Sequence, residues 1–375
     1  MSIKITSIMA LVATLACLTH TPAYAVGNFY TIKDLGAIGD GTLSWASGIN
    51  QNGQVVGHNY ASHAFLYSNG SIGDLGTLGG GYSDAYGING SGQVVGGAYT
   101  AGNAARTAFL YSNGTMSSLG TLGGTNSAAY SINNNGQVVG EANTAVYNSC
   151  CSFTSHAFLY SNNVMTDLGT FGGSDSRAFG INNSGQIVGG AFTADNTAYH
   201  AFLFSNGAMS DLGTFGGTRS EAFGINSNGQ VVGIAQSLDN TAYHAFLYSN
   251  GTMSNLGTLG GTNSFAISIN NNGQVVGESD TVGNSARTAF LYSNGAMSDL
   301  NSLLNQGSGW TLLEANGIND LGQIVGMGTI NGQSHAYLMT PTAVPVPAAA
   351  WLFGSGLLGM AGFVRKCTTR LETRK

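Results

Sequence analysis

Charged residues are scarce in this sequence. Only 7% of the 375 residues are Asp, Glu, Lys or Arg, whereas 58 are glycine. Between residues 26 and 341, five basic residues stand against sixteen acidic ones, which gives this span a net charge of −11. Such a body repels nucleic acid and anionic lipid, so we expect no nucleic-acid partner. Little charge and much glycine are typical of an exported, turn-rich β protein.

Proline and cysteine are scarce as well. No proline occurs between Pro22 and Pro341, as expected for paired strands joined by tight hairpins. Of the four cysteines, only Cys150 and Cys151 lie in the body of the chain, side by side. They are compatible with a vicinal disulfide, a cross-link between chains, or two free thiols. No CxxC pair or histidine cluster stands near them, so the sequence predicts no metal site and no cofactor.

Long apolar runs are confined to the two ends of the chain. Near the N-terminus, Lys4 precedes an apolar run over residues 8–18, and Ala23 and Ala25 frame a small-x-small cleavage site. This arrangement predicts a secretory signal peptide over residues 1–25. A lipoprotein signal with Cys17 as the lipidated residue is the alternative interpretation.

The second apolar run lies near the C-terminus. Residues 348–364 are uncharged and mostly apolar, and Arg365 and Lys366 follow at once. As a helix the run would be about 26 Å long, close to the ~30 Å hydrocarbon thickness of a bilayer. The sequence therefore predicts a transmembrane helix over 348–364 that attaches the protein to the membrane. By the positive-inside rule, its basic tail is cytoplasmic.

A proline motif precedes this run, and the three parts together resemble the PEP-CTERM sorting signal of Gram-negative bacteria. The motif consists of Val344, Pro345, Val346 and Pro347, with Val346 where that family has glutamate. The resemblance over residues 342–375 implies an exosortase-like processing enzyme as a partner. It also implies export and delivery to the cell surface or the extracellular exopolysaccharide matrix. A plain membrane anchor is the alternative.

The body of the chain, residues 26–341, is a series of seven repeats. The asparagine of a recurring Ile-Asn pair returns at intervals of 39 to 49 residues, a period typical of propellers and similar arrays. Within one repeat, residues 222–226, 230–233, 244–249 and 252–256 are predicted to be strands. Asn250 and Gly251 form a two-residue hairpin signal between the last two. Four antiparallel strands per repeat is the plan of a propeller blade.

The two ends of the repeat array complement each other. Residues 30–36 match a fourth strand, whereas the last repeat stops after a third strand at 335–338. The predicted fold class is therefore all-β: a seven-bladed β-propeller of four-stranded blades closed by the N-terminal strand, plus one C-terminal transmembrane helix. The repeat resembles the HAF repeat of bacterial extracellular proteins, on the His-Ala-Phe at His63, His156, His200 and His244. That resemblance implies export and a propeller, and no assigned reaction.

The loops that vary in length indicate a binding face. Turns between first and second strands, and between third and fourth strands, are short and uniform. The remaining loops lie on the opposite face, vary in length and carry many of the charged residues, as binding loops do. The candidate binding residues are Arg106, Glu141, Arg177, Arg219, Asp239 and Arg287.

No residue is predicted to be catalytic. The histidines that open third strands occur in five repeats, at most one per repeat, and threonine replaces them at Thr107 and Thr288. They lie too far apart around the array to share a metal, so we expect them to be structural. No nucleophile elbow, P-loop, HExxH or EF-hand pattern is present. The sequence therefore predicts a non-enzymatic surface or matrix protein that binds glycan or protein. The alternatives are a hydrolase or lyase that acts on polysaccharide through loop carboxylates, and a structural spacer without a ligand.

Overall fold

Twenty-eight strands and three short 3-10 helices make up the part of the chain that the structure, a computed structural model, describes. The described residues are 30–36, 43–59, 63–147 and 153–342. The 3-10 helices are Ala101–Asn103, Val282–Asn284 and Leu300–Leu303.

The strands follow one another along the chain with short connections. The first half of them are β1 (Tyr30–Gly36), β2 (Ser44–Ile49), β3 (Val55–Asn59), β4 (Ala64–Ser68), β5 (Ser71–Asp74), β6 (Gly79–Ile88), β7 (Val94–Thr100), β8 (Arg106–Ser112), β9 (Thr115–Gly120), β10 (Gly123–Ile132), β11 (Val138–Tyr147), β12 (Phe153–Ser161), β13 (Val164–Asp167) and β14 (Gly172–Ile181). The second half are β15 (Ile187–Thr193), β16 (Tyr199–Ser205), β17 (Ala208–Asp211), β18 (Gly216–Ile225), β19 (Val231–Ser237), β20 (Tyr243–Ser249), β21 (Thr252–Asn255), β22 (Gly260–Ile269), β23 (Val275–Thr281), β24 (Arg287–Ser293), β25 (Ala296–Asp299), β26 (Trp310–Ile318), β27 (Ile324–Ile330) and β28 (Gln333–Pro341).

These strands form six sheets, not seven. Five sheets have four strands, in the orders β2-β3-β4-β5, β6-β7-β8-β9, β10-β11-β12-β13, β22-β23-β24-β25 and β1-β28-β27-β26. The sixth has eight strands and contains β14 to β21. No sheet closes on itself. The predicted fold class was therefore wrong in dividing the chain into seven separate four-stranded blades.

The eight-stranded sheet forms where two repeats are joined at Arg219. At three other junctions, a side-chain oxygen in the first strand of one repeat accepts a hydrogen bond from the backbone N–H near the start of the preceding repeat's third strand. These contacts are Asn126 to Arg106 at 3.0 Å, Asp175 to Ser155 at 2.9 Å and Asn263 to Tyr243 at 3.0 Å. Arg219 occupies the equivalent position and has no side-chain acceptor. There Tyr199 and Arg219 form a parallel backbone bridge, which joins β16 to β18.

The predicted fold class also included one C-terminal transmembrane helix, and the structure shows no such helix in the part of the chain that it describes. No helix among the described residues is long and apolar enough to cross a membrane. The predicted helix over 348–364 lies outside the described residues. At the other end of the chain, β1 pairs antiparallel with β28, with Tyr30 opposite Pro341.

The recurring asparagine links each repeat to the next. The side-chain Oδ1 of Asn182 accepts from the backbone N–H groups of Ser184 and Gln186, at 3.1 and 3.0 Å. Its Nδ2 donates to Gln186 Oε1 at 2.8 Å and to the backbone carbonyl of Asn226, the next asparagine, at 3.1 Å. The same link to the next carbonyl is made by all seven asparagines: Asn50, Asn89, Asn133, Asn182, Asn226, Asn270 and Asn319.

The last of these links returns to the first repeat. Asn319 Nδ2 donates to the backbone carbonyl of Asn50 at 3.0 Å. The seven repeats therefore follow one another around a common axis, with the first strand of each repeat nearest that axis. This order determines which side chains can meet at the centre.

The core lies between neighbouring repeats. Val139 and Ala157 of one repeat pack with Ala178, Ile187 and Phe202 of the next in one buried cluster. A fully buried aromatic residue occurs in every third strand: Phe65, Phe109, Phe158, Phe202, Phe246, Phe290 and Tyr337. Because each cluster takes residues from two repeats, no repeat buries its apolar surface alone.

First strands are longer than the sequence predicts and carry bulges. β18 begins at Gly216, which pairs with Ser237, rather than near residue 222. In β14 the register shifts between Ala178 and Gly180. At this bulge the backbone of Gly189 lies so close that a Cβ there would be 1.9 Å from the Arg177 carbonyl oxygen. A side chain is therefore excluded at this position.

Candidate functional site

Five of the six predicted binding residues form ion pairs. The sixth, Asp239, does not. Asp239 is exposed and accepts hydrogen bonds within its own loop, from Ser237 Oγ at 2.6 Å and the Thr241 N–H at 3.1 Å. These bonds lower the pKa of Asp239 to about 2. Asp239 therefore shapes its loop and does not belong to the site described below.

Arg106 belongs to a cluster around Asp84. Its Nη2 donates to Asp84 Oδ2 at 2.9 Å and to the Tyr86 hydroxyl at 3.0 Å. His58 stacks on the Trp45 ring, with ring centroids 5.5 Å apart, and its Nδ1 lies 3.7 Å from Asp84 Oδ1. Burial lowers the pKa of His58, so this imidazole is neutral at neutral pH.

Glu141 is the centre of a second cluster. It accepts hydrogen bonds from the Tyr130 hydroxyl at 2.6 Å, from Arg177 Nε at 2.7 Å and from Ser155 Oγ at 3.1 Å. Burial raises the pKa of Tyr130, and the Glu141 carboxylate raises it further. Tyr130 is therefore a hydrogen-bond donor and not an ionised group. In the neighbouring repeat, Arg219 pairs with Glu221.

The third cluster contains more acid than base. Arg287 donates to Asp280 at 2.9 Å and to Glu278 at 3.2 Å, and lies over the Phe265 ring at 4.8 Å. Glu314 lies near Glu278 and makes no ion pair with another of the described residues. Burial raises the pKa of both glutamates. One guanidinium thus serves three carboxylates here.

Side chains of all three clusters border a cavity of about 500 Å³ around the axis, formed mainly by first strands. One level of it is lined by the residue three positions before the recurring asparagine in each repeat. These seven residues are Ser47, Tyr86, Tyr130, Phe179, Phe223, Ile267 and Asn316. Cavities of this size that combine apolar side chains with several polar groups are typical of ligand sites.

Four adjacent aromatic rings form one wall of the cavity, here called the aromatic arc: Tyr86, Tyr130, Phe179 and Phe223. Ring centroids of neighbours are 5.4, 5.3 and 5.3 Å apart, at tilted or edge-on angles. All four rings are partly exposed to the cavity. The arc therefore presents a broad apolar surface with hydroxyl groups at one end.

A ring of isoleucines bounds the cavity on one side. The residue before each recurring asparagine is isoleucine in every repeat: Ile49, Ile88, Ile132, Ile181, Ile225, Ile269 and Ile318. These residues border both the cavity and a second, polar depression of about 180 Å³ lined by the asparagine turns. Trp45, His58 and Glu314 lie on the cavity side. The cavity therefore faces the end of the strands that carries the variable loops.

The repeated histidines lie in pairs with aspartates. The Nδ1 to carboxylate distances are 2.8 Å for His63–Asp74, 2.7 Å for His156–Asp167, 2.8 Å for His200–Asp211 and 2.8 Å for His335–Asp34. Each pair ties a third strand to the fourth strand beside it. Within the part of the chain that the structure describes, no group of three or more His, Cys, Asp and Glu side chains could hold a metal ion.

The aromatic arc and the surplus carboxylates were not predicted from the sequence. A signal for them exists in the repeat alignment. The position three before the asparagine varies between serine, aromatic residues, isoleucine and asparagine, whereas the isoleucine next to the asparagine never changes. A variable position within an otherwise uniform strand indicates a side chain that does not take part in the core packing common to all repeats.

Several predicted features lie outside the described residues. They are the cleavage-site residues Ala23 and Ala25, the paired cysteines Cys150 and Cys151, and the sorting-motif residues Val344, Pro345, Val346, Pro347, Arg365 and Lys366. They remain predictions from the sequence.

The sheets and their order around an axis define a β-propeller. The chain is similar to the β-propeller domain of the Trilobed protease from Pyrococcus furiosus, with a TM-score of 0.51 and 9% identity, over 81% of this chain and 100% of that one. It is also similar to YCF48 bound to D1 peptide, with a TM-score of 0.51 and 10% identity, over 86% and 97% of the two chains. At these identities the likeness shows the fold alone.

The family comparison covers a third of the chain. Residues 216–340 match a family described as protein of unknown function (DUF3466). A search of curated proteins finds no match. The structure of Pyrococcus horikoshii acylaminoacyl peptidase aligns with a TM-score of 0.48 and 11% identity, over 80% of this chain and 52% of that one.

Proposed function

We propose that this chain is an exported β-propeller that binds a surface or matrix glycan in the axial cavity, without catalysing a reaction. The observation that carries the proposal is the aromatic arc beside hydrogen-bonding and carboxylate groups in one cavity of about 500 Å³. Aromatic faces pack against the apolar faces of sugar rings, and the polar groups between them bind hydroxyls. The predicted signal peptide and sorting motif support delivery to the cell surface.

Binding of a glycan by the arc is tested with one variant and one matched control. Phe223→Leu removes a ring of the arc, whereas Tyr160→Leu removes a half-buried ring on a third strand that does not line the cavity. We expect the first variant to weaken glycan binding at least tenfold in calorimetry and the second to leave it unchanged. Equal affinities of both variants and the wild type would rule out the arc as the binding surface.

A surface enzyme acting on polysaccharide is the second candidate. Glu278 and Glu314 lie near each other, and burial raises the pKa of both, as in carboxyl groups that act as general acids. Incubation with polysaccharides, followed by detection of new reducing ends or unsaturated products, separates the two functions. Product release that Glu314→Gln abolishes would establish the enzyme. Binding without product release supports the first proposal.

The route to the surface is tested through the C-terminal motif. We propose that an exosortase-like enzyme recognises residues 344–375. Deleting this segment is expected to move the protein from the cell surface into the medium, as seen by immunoblotting of cell and medium fractions. An unchanged distribution between the fractions would contradict the sorting role.

A further inference from the structure

We infer that the ligand is a glycan with free amino groups, an amino sugar in its non-acetylated, cationic form. This inference rests on the proposed glycan binding and specifies the chemistry of that ligand. It is carried by the distribution of charge around the cavity relative to the aromatic arc.

The order of the repeats places acid opposite the arc. The arc comes from the second to fifth repeats, whereas Glu278 and Asp280 belong to the sixth and Glu314 to the seventh. Because consecutive repeats are neighbours around the axis, the middle of the arc lies across the cavity from the seventh repeat. Glu314 therefore faces the aromatic wall from the opposite side of the cavity.

The acidic side lacks counter-charges. Elsewhere around the axis, acids and arginines are matched one to one: Asp84 with Arg106, Glu141 with Arg177 and Glu221 with Arg219. On the acidic side, Arg287 is shared by Glu278 and Asp280, and Glu314 has no ion pair among the described residues. Two negative charges remain in excess there. Glu314 is partly buried and makes no direct ion pair; its nearest compensation is a hydrogen bond from Asn316 and the charge of Arg287, which two other carboxylates share. A ligand ammonium group would offset the remaining cost of burying this carboxylate.

The shape of the cavity favours an amino sugar over a lysine side chain. The four adjacent rings form a wall far wider than the alkyl chain of a lysine. A sugar ring has a flat apolar face that can stack on such a wall. The cavity also presents small polar side chains at Ser47, Ser131 and Asn316, which suit the hydroxyl groups of a sugar. A ring stacked on the arc can direct its ammonium group at Glu314.

The inference is tested by calorimetry with the intact protein at about pH 6. The probes are a glucosamine hexamer, its fully N-acetylated form, a glucose hexamer and a lysine hexapeptide. We expect the glucosamine hexamer to bind at least tenfold more tightly than the other three. Glu314→Gln should remove most of this preference, while Glu221→Gln, whose carboxylate pairs with Arg219 and does not line the cavity, should retain it. Thermal unfolding checks that both variants are folded.

Each other outcome has a distinct meaning. Equal binding of the glucosamine and N-acetylglucosamine hexamers overturns the amino-sugar inference and leaves the proposed glycan binding standing. Tighter binding of the lysine hexapeptide replaces the sugar with a cationic peptide. Absence of binding to any glycan overturns the proposed function itself. A preference that Glu314→Gln leaves intact removes Glu314 from the site.

Discussion

At the residue scale, one histidine differs from its four counterparts. His244 Nδ1 is buried without a hydrogen-bond partner among the described residues, because Asn255 stands where the other four histidines face aspartate. Asn255→Asp should create the missing pair and retain the existing bond from the Gly257 N–H to Oδ1. We expect the free energy of unfolding to rise by about 1 kcal/mol, measured by urea denaturation.

The reverse change in another repeat is the control for this prediction. Asp211→Asn leaves its bond to the Gly213 N–H available but removes the carboxylate that His200 contacts at 2.8 Å. This variant should lose a similar amount of stability. If Asn255→Asp destabilises the protein, the histidine–aspartate pair does not provide the stabilisation argued for it.

The charge on Glu314 predicts a pH dependence of stability. Burial raises the pKa of Glu314 above its ordinary value of 4.5, so the folded state binds this proton more tightly than the unfolded chain does. Ionisation of Glu314 therefore lowers the stability of the folded state as the pH rises from the pKa of the unfolded chain to the raised pKa of the folded protein. The loss persists at higher pH. The stabilisation of Glu314→Gln relative to the wild type should be larger at about pH 7 than at about pH 4. An equal difference at both pH values, in urea denaturation, would contradict this.

At the scale of the element, the bulge in a first strand brings its backbone so close to the second strand that glycine is required there. A Cβ at Gly189 would lie 1.9 Å from the Arg177 carbonyl oxygen, which belongs to the backbone and cannot move aside. Gly189→Ala is expected to cost at least about 3 kcal/mol of stability or to prevent folding, because the bulge must open.

A second glycine provides the control that distinguishes a steric clash from the cost of a positive φ. Gly207 has a φ of +79° with nothing within 4 Å of a Cβ. Gly207→Ala should cost only about 1 kcal/mol, the usual penalty for a left-handed residue with a side chain. Chemical denaturation of the two variants, or their soluble yield, measures the difference. Similar losses at both positions would contradict the steric explanation.

At the scale of the whole molecule, the first strand joins the two ends of the repeat array. Tyr30 and Leu35 of β1 are buried, and Asp34 pairs with His335 on β28 at 2.8 Å. Deleting residues 30–36 exposes these partners and leaves an unpaired edge on β28. We expect the free energy of unfolding to fall by at least about 3 kcal/mol and the protein to aggregate. Urea denaturation measures the first effect and light scattering the second. Partial recovery on adding a synthetic 30–36 peptide would identify strand pairing as the cause. An unchanged unfolding curve would contradict the prediction.

Local features of the molecule could be predicted from the sequence because they depend on near neighbours along the chain. The hairpin at Asn250 and Gly251 has φ values of 51° and 80°, as the residue types require. The third and fourth strands of the 220–261 unit occur close to the predicted positions, whereas the second strand extends to Ser237, beyond its predicted end at residue 233. The first strand is longer than predicted, because its glycine-rich beginning pairs with the end of the second strand, a contact that no local pattern reports.

The sequence by itself determined the repeat period, the turn types and the β class. The tertiary structure decided how many sheets form and what the cavity contains. The backbone bridge between Tyr199 and Arg219 joins strands of two successive repeats into one sheet. The aromatic arc and Glu314 come from repeats far apart in the chain. They meet because seven asparagine links arrange the repeats around one axis, and proximity across an axis leaves no mark in the linear order of residues.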